Sequence, residues 1–231
     1  LEGGDYNIGE NLLVPYLLHN TNGIIDIMIV SHFHEDHVEG LFSILKSLKV
    51  KKIIIGIQPQ NTKLYEDFLI LAKDKNIPIY VLKSKDSFTI DDISFEVLYP
   101  YSKVSDNNLN NSSLILKVNI YNTSILFTGD AEIKEENEVL KSSFNNLDVD
   151  ILKVGHHGSK TSTSSEFLEK VSPKISLISV GKNNKYKHPN KEVIEKLENI
   201  NSKIYRTDLF GEINLKIYKD SIKVRTWYYK D

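Results

Sequence analysis

Residues 24–31 (IIDIMIVS) form a short apolar run dominated by Ile and Val, closed without a spacer by Ser31-His32-Phe33-His34-Glu35-Asp36-His37. A run of this length without strict polar alternation reads as a buried strand. A chain containing such a strand must build a sheet with cover on both faces. The cluster that follows then emerges at the carboxyl end of the strand, where α/β sheets place their sites.

The rest of the chain alternates in kind. A helix is predicted over 38–48, then a strand at 51–57, a helix at 64–75 and a strand at 77–82. Strands follow at 93–100, 113–120 and 124–130, the last two joined as a hairpin at Tyr121-Asn122-Thr123. An acidic helix over 132–143, a strand at 149–155 and a helix at 164–171 ending before Pro173 come next. Strand 175–181 and helix 190–199, opened by Pro189-Asn190, lead to a tail (203–229) patterned like antiparallel strands around Gly211. The polar stretch 102–111 is the most loop-like segment. No repeat or low-complexity linker divides the 231 residues. The expectation is an α/β fold forming one hydrolase-like domain. Because it starts at Leu1, the chain is expected to be a piece of a longer protein.

Cysteine is absent, which excludes disulfides, thiolate metal sites and a cysteine nucleophile. Any metal must be held by His, Asp or Glu, donors that suit Zn²⁺, Mn²⁺ or Fe²⁺. No apolar run approaches the roughly 20 residues of a membrane-spanning helix, and no leader pattern is visible. Residues 1–150 carry 13 Lys+Arg against 22 Asp+Glu, whereas 151–231 carry 16 against 9. That basic C-terminal third reads either as a solvated lysine-rich face or as a surface that attracts phosphate.

His32, His34, Asp36 and His37 place four potential ligands within six residues. A turn leaving the strand aims alternate side chains into one cavity, His32 and His34 toward one cation, Asp36 and His37 toward a second. The competing reading is a polar turn with solvent-facing histidines. Thr128-Gly129-Asp130 adds a carboxylate after a hairpin strand, either a ligand shared by two metals or a cap for the next helix.

His-x-His-x-Asp-His after a strand, followed by Gly129-Asp130, resembles the metallo-β-lactamase superfamily. Further motifs resemble one branch, the C-terminal hydrolase-like domain of the ComEC channel for DNA uptake in competence. They are Asn110–Leu116 (NNSSLIL), Leu152–Ser159 (LKVGHHGS), Ser179-Val180-Gly181, Lys187-His188-Pro189 and Tyr205–Asp208 (YRTD). The resemblance implies a four-layered αββα sandwich with two divalent metal ions, Zn²⁺ or Mn²⁺. It implies metal-dependent phosphodiester hydrolysis of single-stranded DNA, beside a membrane channel portion of the same polypeptide. The domain would lie on the extracytoplasmic side; a soluble cytoplasmic enzyme is the alternative. Two departures stand out. Leu1-Glu2-Gly3-Gly4 is what remains of an Asp-x-Gly-Gly turn, so the first strands are expected to be missing. Gly40 runs directly into Leu41, without a second small residue.

Within this resemblance His32, His34, Asp36, His37, Asp130 and His156 are expected as metal ligands, and Asp36, Asp130 and His157 as the catalytic groups. His157 would contact substrate or donate a proton to the leaving oxygen. The family's third histidine is replaced by a loop offering Asn107, Asn108, Asn110, Asn111, Ser112 and Ser113, which implies looser binding of the first metal and a preference for Mn²⁺. Asn111, Ser159, Lys160 and His188 are expected to contact substrate. Ser159 reads equally as a helix cap and His188 as a structural residue. Lys182, Lys185 and Lys187 offer charge to a phosphate path, and Trp227, Tyr228 and Tyr229 read as base-stacking or as packing residues. Hydrolysis of a small phosphoester or lactone is the alternative activity. A DNA-binding module with a degenerate metal site is the non-catalytic one.

Overall fold

The computed structural model describes residues 7–59, 62–102, 108–142 and 146–227. The turn at 1–4, Asn107, Tyr228 and Tyr229 lie outside them. After a π-helical turn at Gly9–Leu13 comes helix α1 (Val14–Thr21). The apolar run then splits into β1 (Ile24–Ile25) and β2 (Met28–Val30). Between them Asp26 faces solvent and accepts a hydrogen bond from Lys51 at 2.6 Å, a charge the sheet interior would not tolerate. Helix α2 (Glu35–Ser47) starts three residues before its predicted boundary, which puts Asp36 and His37 in its first turn. There the carboxylates of Glu35 and Asp36 complement the helix dipole.

Next come β3 (Lys49–Val50), β4 (Ile53–Gly56), α3 (Lys63–Asp74) and β5 (Ile79–Leu82). Strands β2, β4 and β5 form a parallel three-stranded sheet. The larger sheet begins with the meander β6 (Ser87–Ile90), β7 (Ile93–Tyr99), β8 (Ile115–Ile120) and β9 (Thr123–Phe127). It continues with α4 (Ile133–Lys141), β10 (Ile151–Lys153), α5 (Ser165–Val171), β11 (Ile175–Ile178), α6 (Lys191–Asn199) and β12 (Lys203–Arg206). Its order is β12-β11-β10-β9-β8-β7-β6, parallel from β12 to β9 and antiparallel from there on.

The tail departs from expectation. Strand β12 pairs in parallel with β11 rather than folding back around Gly211. A helical turn, α7 (Thr207–Phe210), ends at Gly211, and β13 (Ile213–Tyr218) and β14 (Ser221–Thr226) form a separate antiparallel hairpin.

Three apolar clusters define the layers. One joins Ile53 and Ile55 of β4 to Val38 and Leu45 of α2 and Phe68 of α3. A second joins Ile54 to Val97, Leu116 and Val118, so the two sheets face each other. The third joins Leu98, Leu126 and Leu152 to Val139, Phe167, Val193 and Leu197 of α4, α5 and α6. Neighbouring residues of one strand, Ile54 against Ile53 and Ile55, or Val97 against Leu98, serve opposite faces, as the strand repeat requires. Helix, sheet, sheet, helix: this is the αββα sandwich. Among the described residues no helix is long and apolar enough to cross a membrane.

Candidate metal centre

Strands β2, β9 and β10 end at one edge of the sandwich, and the sheets are tied there by Leu114 N–H donating to Ser31 O at 2.9 Å. Past β2 the chain stays extended, so side chains alternate. Phe33 turns into the core, edge-on to Tyr65 and Phe68 at 4.7 and 5.3 Å. His32 and His34 therefore point the other way, with His32 Nε2 3.1 Å from His34 Nδ1. His34 then precedes α2, whose first turn delivers Asp36 and His37.

From the other sheet, Gly129 in the left-handed region (φ +54°) turns Asp130 inward. A side chain at Gly129 would press on Ser113 and Ser31 at 3.0 Å. The Asp130 amide donates to Ser113 Oγ at 3.0 Å. Asp130 does not cap the next helix; Glu132 does, in a reciprocal pair with Glu135.

After β10, His156 and His157 both adopt left-handed backbone (φ 45° and 54°). Each such residue costs roughly 1–2 kcal/mol, strain of the kind stored at functional sites. The turn sends the two rings to different places. His157 Nε2 lies 3.3 Å from Asp36 Oδ2, 3.5 Å from Asp130 Oδ2 and 3.3 Å from His37 Nε2. Its Nδ1 donates to Ser179 O at 2.7 Å, which leaves Nε2 for the site. His156 Nε2 stands 3.9 Å from Asp130 Oδ2, with Nδ1 3.5 Å from Glu132 Oε1 and 3.3 Å from Thr161 Oγ1.

Asp36, His37, Asp130 and His157 thus offer ligand atoms all within 4.8 Å of one another. His32 Nε2 adjoins them, 3.9 Å from Asp130 Oδ2. The sequence pattern favoured His156 over His157 as the ligand, but the left-handed turn places His157 in this group and His156 beside it. The donor set fits divalent cations. Oδ1 of Asp130 and Oδ1 of Asn110 are buried without a hydrogen-bond partner, and imidazole nitrogens face each other at hydrogen-bond distance, an arrangement a cation resolves.

Without metal, the charges settle among the groups themselves. His157 loses most from burial, yet hydrogen bonds to Asp130 and Asp36 outweigh that and raise its pKa to about 9. The hydrogen bond from His157 is the main reason Asp36 falls to about 2. Asp130 is resisted by its burial, but bonds from His157 and His37 hold it well below the carboxylate range. Burial, then the neighbouring His37, lowers His32 to about 3, the neutral form a metal requires.

The remaining expected contacts divide. Asn111 is buried, its carbonyl accepting from Tyr99 Oη at 3.0 Å. Asn110 Nδ2, not Asn111, lies against His156 Nε2 at 3.4 Å. Ser159 is buried within its loop, its Oγ 3.1 Å from Thr161 Oγ1; the cap of α5 is Ser164. Lys160 is exposed. His188 does reach the rim, its ring 5.9 Å from that of His156.

Two groups at the site went unread in the sequence, Glu132 and Lys153, and Asn110 reads there only as one of the loop residues standing in for the third histidine. Lys153 is held below the usual lysine range by burial, against the pull of Asp130. A lysine inside the apolar run VDILKVG was the available signal for it.

Residues 3–182 match the profile of the metallo-beta-lactamase superfamily, and the chain belongs to that superfamily. Among curated proteins it is similar to ComE operon protein 3 of Bacillus subtilis, with 36% identity over 217 residues, 94% of this chain and 28% of that protein. It is also similar to Recombination protein 2 of Haemophilus influenzae (30% over 220 residues, 95% and 26%). Competence protein ComA of Neisseria gonorrhoeae is 30% identical over 215 residues, 92% of this chain and 28% of that protein. The chain thus spans little more than a quarter of these relatives' length. The fold is shared with YhfI from Bacillus subtilis (TM-score 0.53, 10% identity, 84% of this chain and 80% of that one). It is shared also with CmlA, a diiron beta-hydroxylase from Streptomyces venezuelae (TM-score 0.56, 13%, 80% and 44%).

Proposed function

We propose that this chain is a metal-dependent phosphodiesterase that cuts single-stranded DNA in the course of its uptake. The observation that carries the reading is the convergence of Asp36, His37, Asp130 and His157 within 4.8 Å; the competence proteins among its relatives support the choice of DNA. His32, His34 and Asp130 would hold one cation, and Asp36, His37, Asp130 and His157 the other, either Zn²⁺ or Mn²⁺. Bound there, two such cations acidify water and neutralise charge on the phosphoryl oxygens. Asp36 and Asp130 orient the water that attacks phosphorus. His156, whose Nδ1 lies 3.5 Å from Glu132 Oε1, would protonate the departing oxygen from Nε2 once that nitrogen turns from the Asn110 amide, so the two neighbouring histidines exchange the roles expected of them. The relatives' greater length supports attachment to a further portion of the same polypeptide, which we propose is a membrane channel with this domain on its extracytoplasmic side.

Purified protein loaded with Mn²⁺ should cut single-stranded DNA, and Asp36→Ala combined with His37→Ala should abolish cutting. Cleavage that persists in the double variant overturns the proposal. Failure to bind any divalent metal would favour a DNA-binding module instead.

A further inference from the structure

The loop between β11 and α6 brings an aromatic side chain to the rim of the metal centre and leaves it in water. Tyr186 is 66% exposed, so packing into a core does not account for it. Its ring nevertheless has a fixed place, stacked on His188 at 5.7 Å with 16° between the planes. His188 in turn meets His156 edge-on at 5.9 Å.

The loop beneath is closed by its own hydrogen bonds. Asn184 accepts from His188 N–H at 2.9 Å and donates to His188 O at 2.8 Å and Gly181 O at 3.1 Å. The next residues are pinned to the histidine turn by Asn190 N–H donating to Gly158 O at 2.8 Å. Trp227 is also exposed, but it follows the separate β13–β14 hairpin and has no such stacking partner among the described residues.

Charge separates the two approaches to the centre. The cavity beside α2 is lined by Glu35, Asp36 and Glu39 against Lys46, a poor path for a polyanion. The Tyr186 loop carries Lys182, Lys185 and Lys187 and no acidic residue between 181 and 190. Lys185 Nζ already lies over the Tyr186 ring at 4.9 Å from its centre.

We propose that Tyr186, backed by His188, is the platform on which one base of a single-stranded DNA substrate stacks, one or two nucleotides from the phosphate that lies over the metal centre. The proposal rests on the phosphodiesterase reading and names where its substrate is gripped. Every base offers a π-face, so the platform is tolerant of sequence. A ring fixed before binding loses little freedom when a base joins it. The Lys185 arm leaves the ring face for the adjoining phosphate as the base arrives.

The test compares two labelled strands of equal length, an oligothymidylate and an abasic deoxyribose-phosphate strand, by fluorescence anisotropy on the whole chain in EDTA. Tyr186→Ala should weaken the oligothymidylate by roughly 5- to 150-fold, the span of one lost base stack, and leave the abasic strand unchanged. Tyr186→Trp should retain the difference between the strands. Undiminished oligothymidylate binding by Tyr186→Ala, equal loss on both strands, or no binding by the wild-type chain overturns the platform. Hydrolysis of bis(p-nitrophenyl) phosphate by the wild-type chain with Mn²⁺ reads the catalytic proposal separately.

Discussion

Metal uptake by the metal-free protein should release a proton from His157, and the surroundings of that ring set the pH range. Burial works against its charge, but Asp130 and Asp36 lift its pKa to about 9. A metal accepts only neutral imidazole. At pH 7 the incoming cation must therefore displace a proton held about two pH units below its pKa, which at 1.36 kcal/mol per unit costs about 3 kcal/mol. Apparent affinity for the cation at Asp36, His37 and His157 should climb by close to tenfold per pH unit from about 6.5 to about 9, then level off. Titration calorimetry in buffers of different ionisation enthalpy should count about one proton released near pH 7.5, and His157→Asn should remove it. An affinity flat across that range, with no proton released, would refute the placement of His157 among the ligands.

The stability of the metal-free protein follows the same groups. Because the folded pKa of His157 exceeds its unfolded value of about 6.5, its ion pairs stabilise fully below that pH and are lost as pH rises toward about 9. Asp36 acts in the opposite sense: its contribution is present above an unfolded pKa of about 3.9 and disappears as pH falls through about 2.

Gly158→Ala should destabilise by about 2–4 kcal/mol in denaturant titrations. Its φ of +82° opposes a side chain, and the added Cβ would sit 2.5 Å from Pro189 Cβ; unchanged stability would show that the two turns are not locked together. Glu136→Ala should cost about 3 kcal/mol, because this buried carboxylate receives the amides of Thr163 and, at 2.9 Å, Ser164 where α5 begins. A melting temperature equal to wild type would show those amides are satisfied without it.

Much of the fold is legible because burial leaves a periodic trace. Ile53, Ile54 and Ile55 announce a strand covered on both faces, and the pairing of 113–120 with 124–130 follows from its turn. The histidine cluster is legible because donors so close in sequence need only an extended stretch, anchored by Phe33, to converge. The start of α2 was not, because a first turn of charged ligands has no apolar face to betray it. Nor was it legible that His157, rather than His156, joins the group around Asp130, since alternation fails where consecutive residues turn left-handed. The tail misled because β12 and the later hairpin share one strand-like pattern, while pairing partners depend on tertiary position.

The hydrogen bond from Leu114 to Ser31 marks a seam, and the proposed ligands are divided across it: His32 through His37 belong to the smaller half of the molecule, Asp130 and His157 to the larger. In the proposed assignment each cation draws donors from both halves. Ions bound there would act as rivets, so that prying the halves apart would loosen every one of them. Metal retention during gentle unfolding therefore gauges how firmly the two halves remain docked.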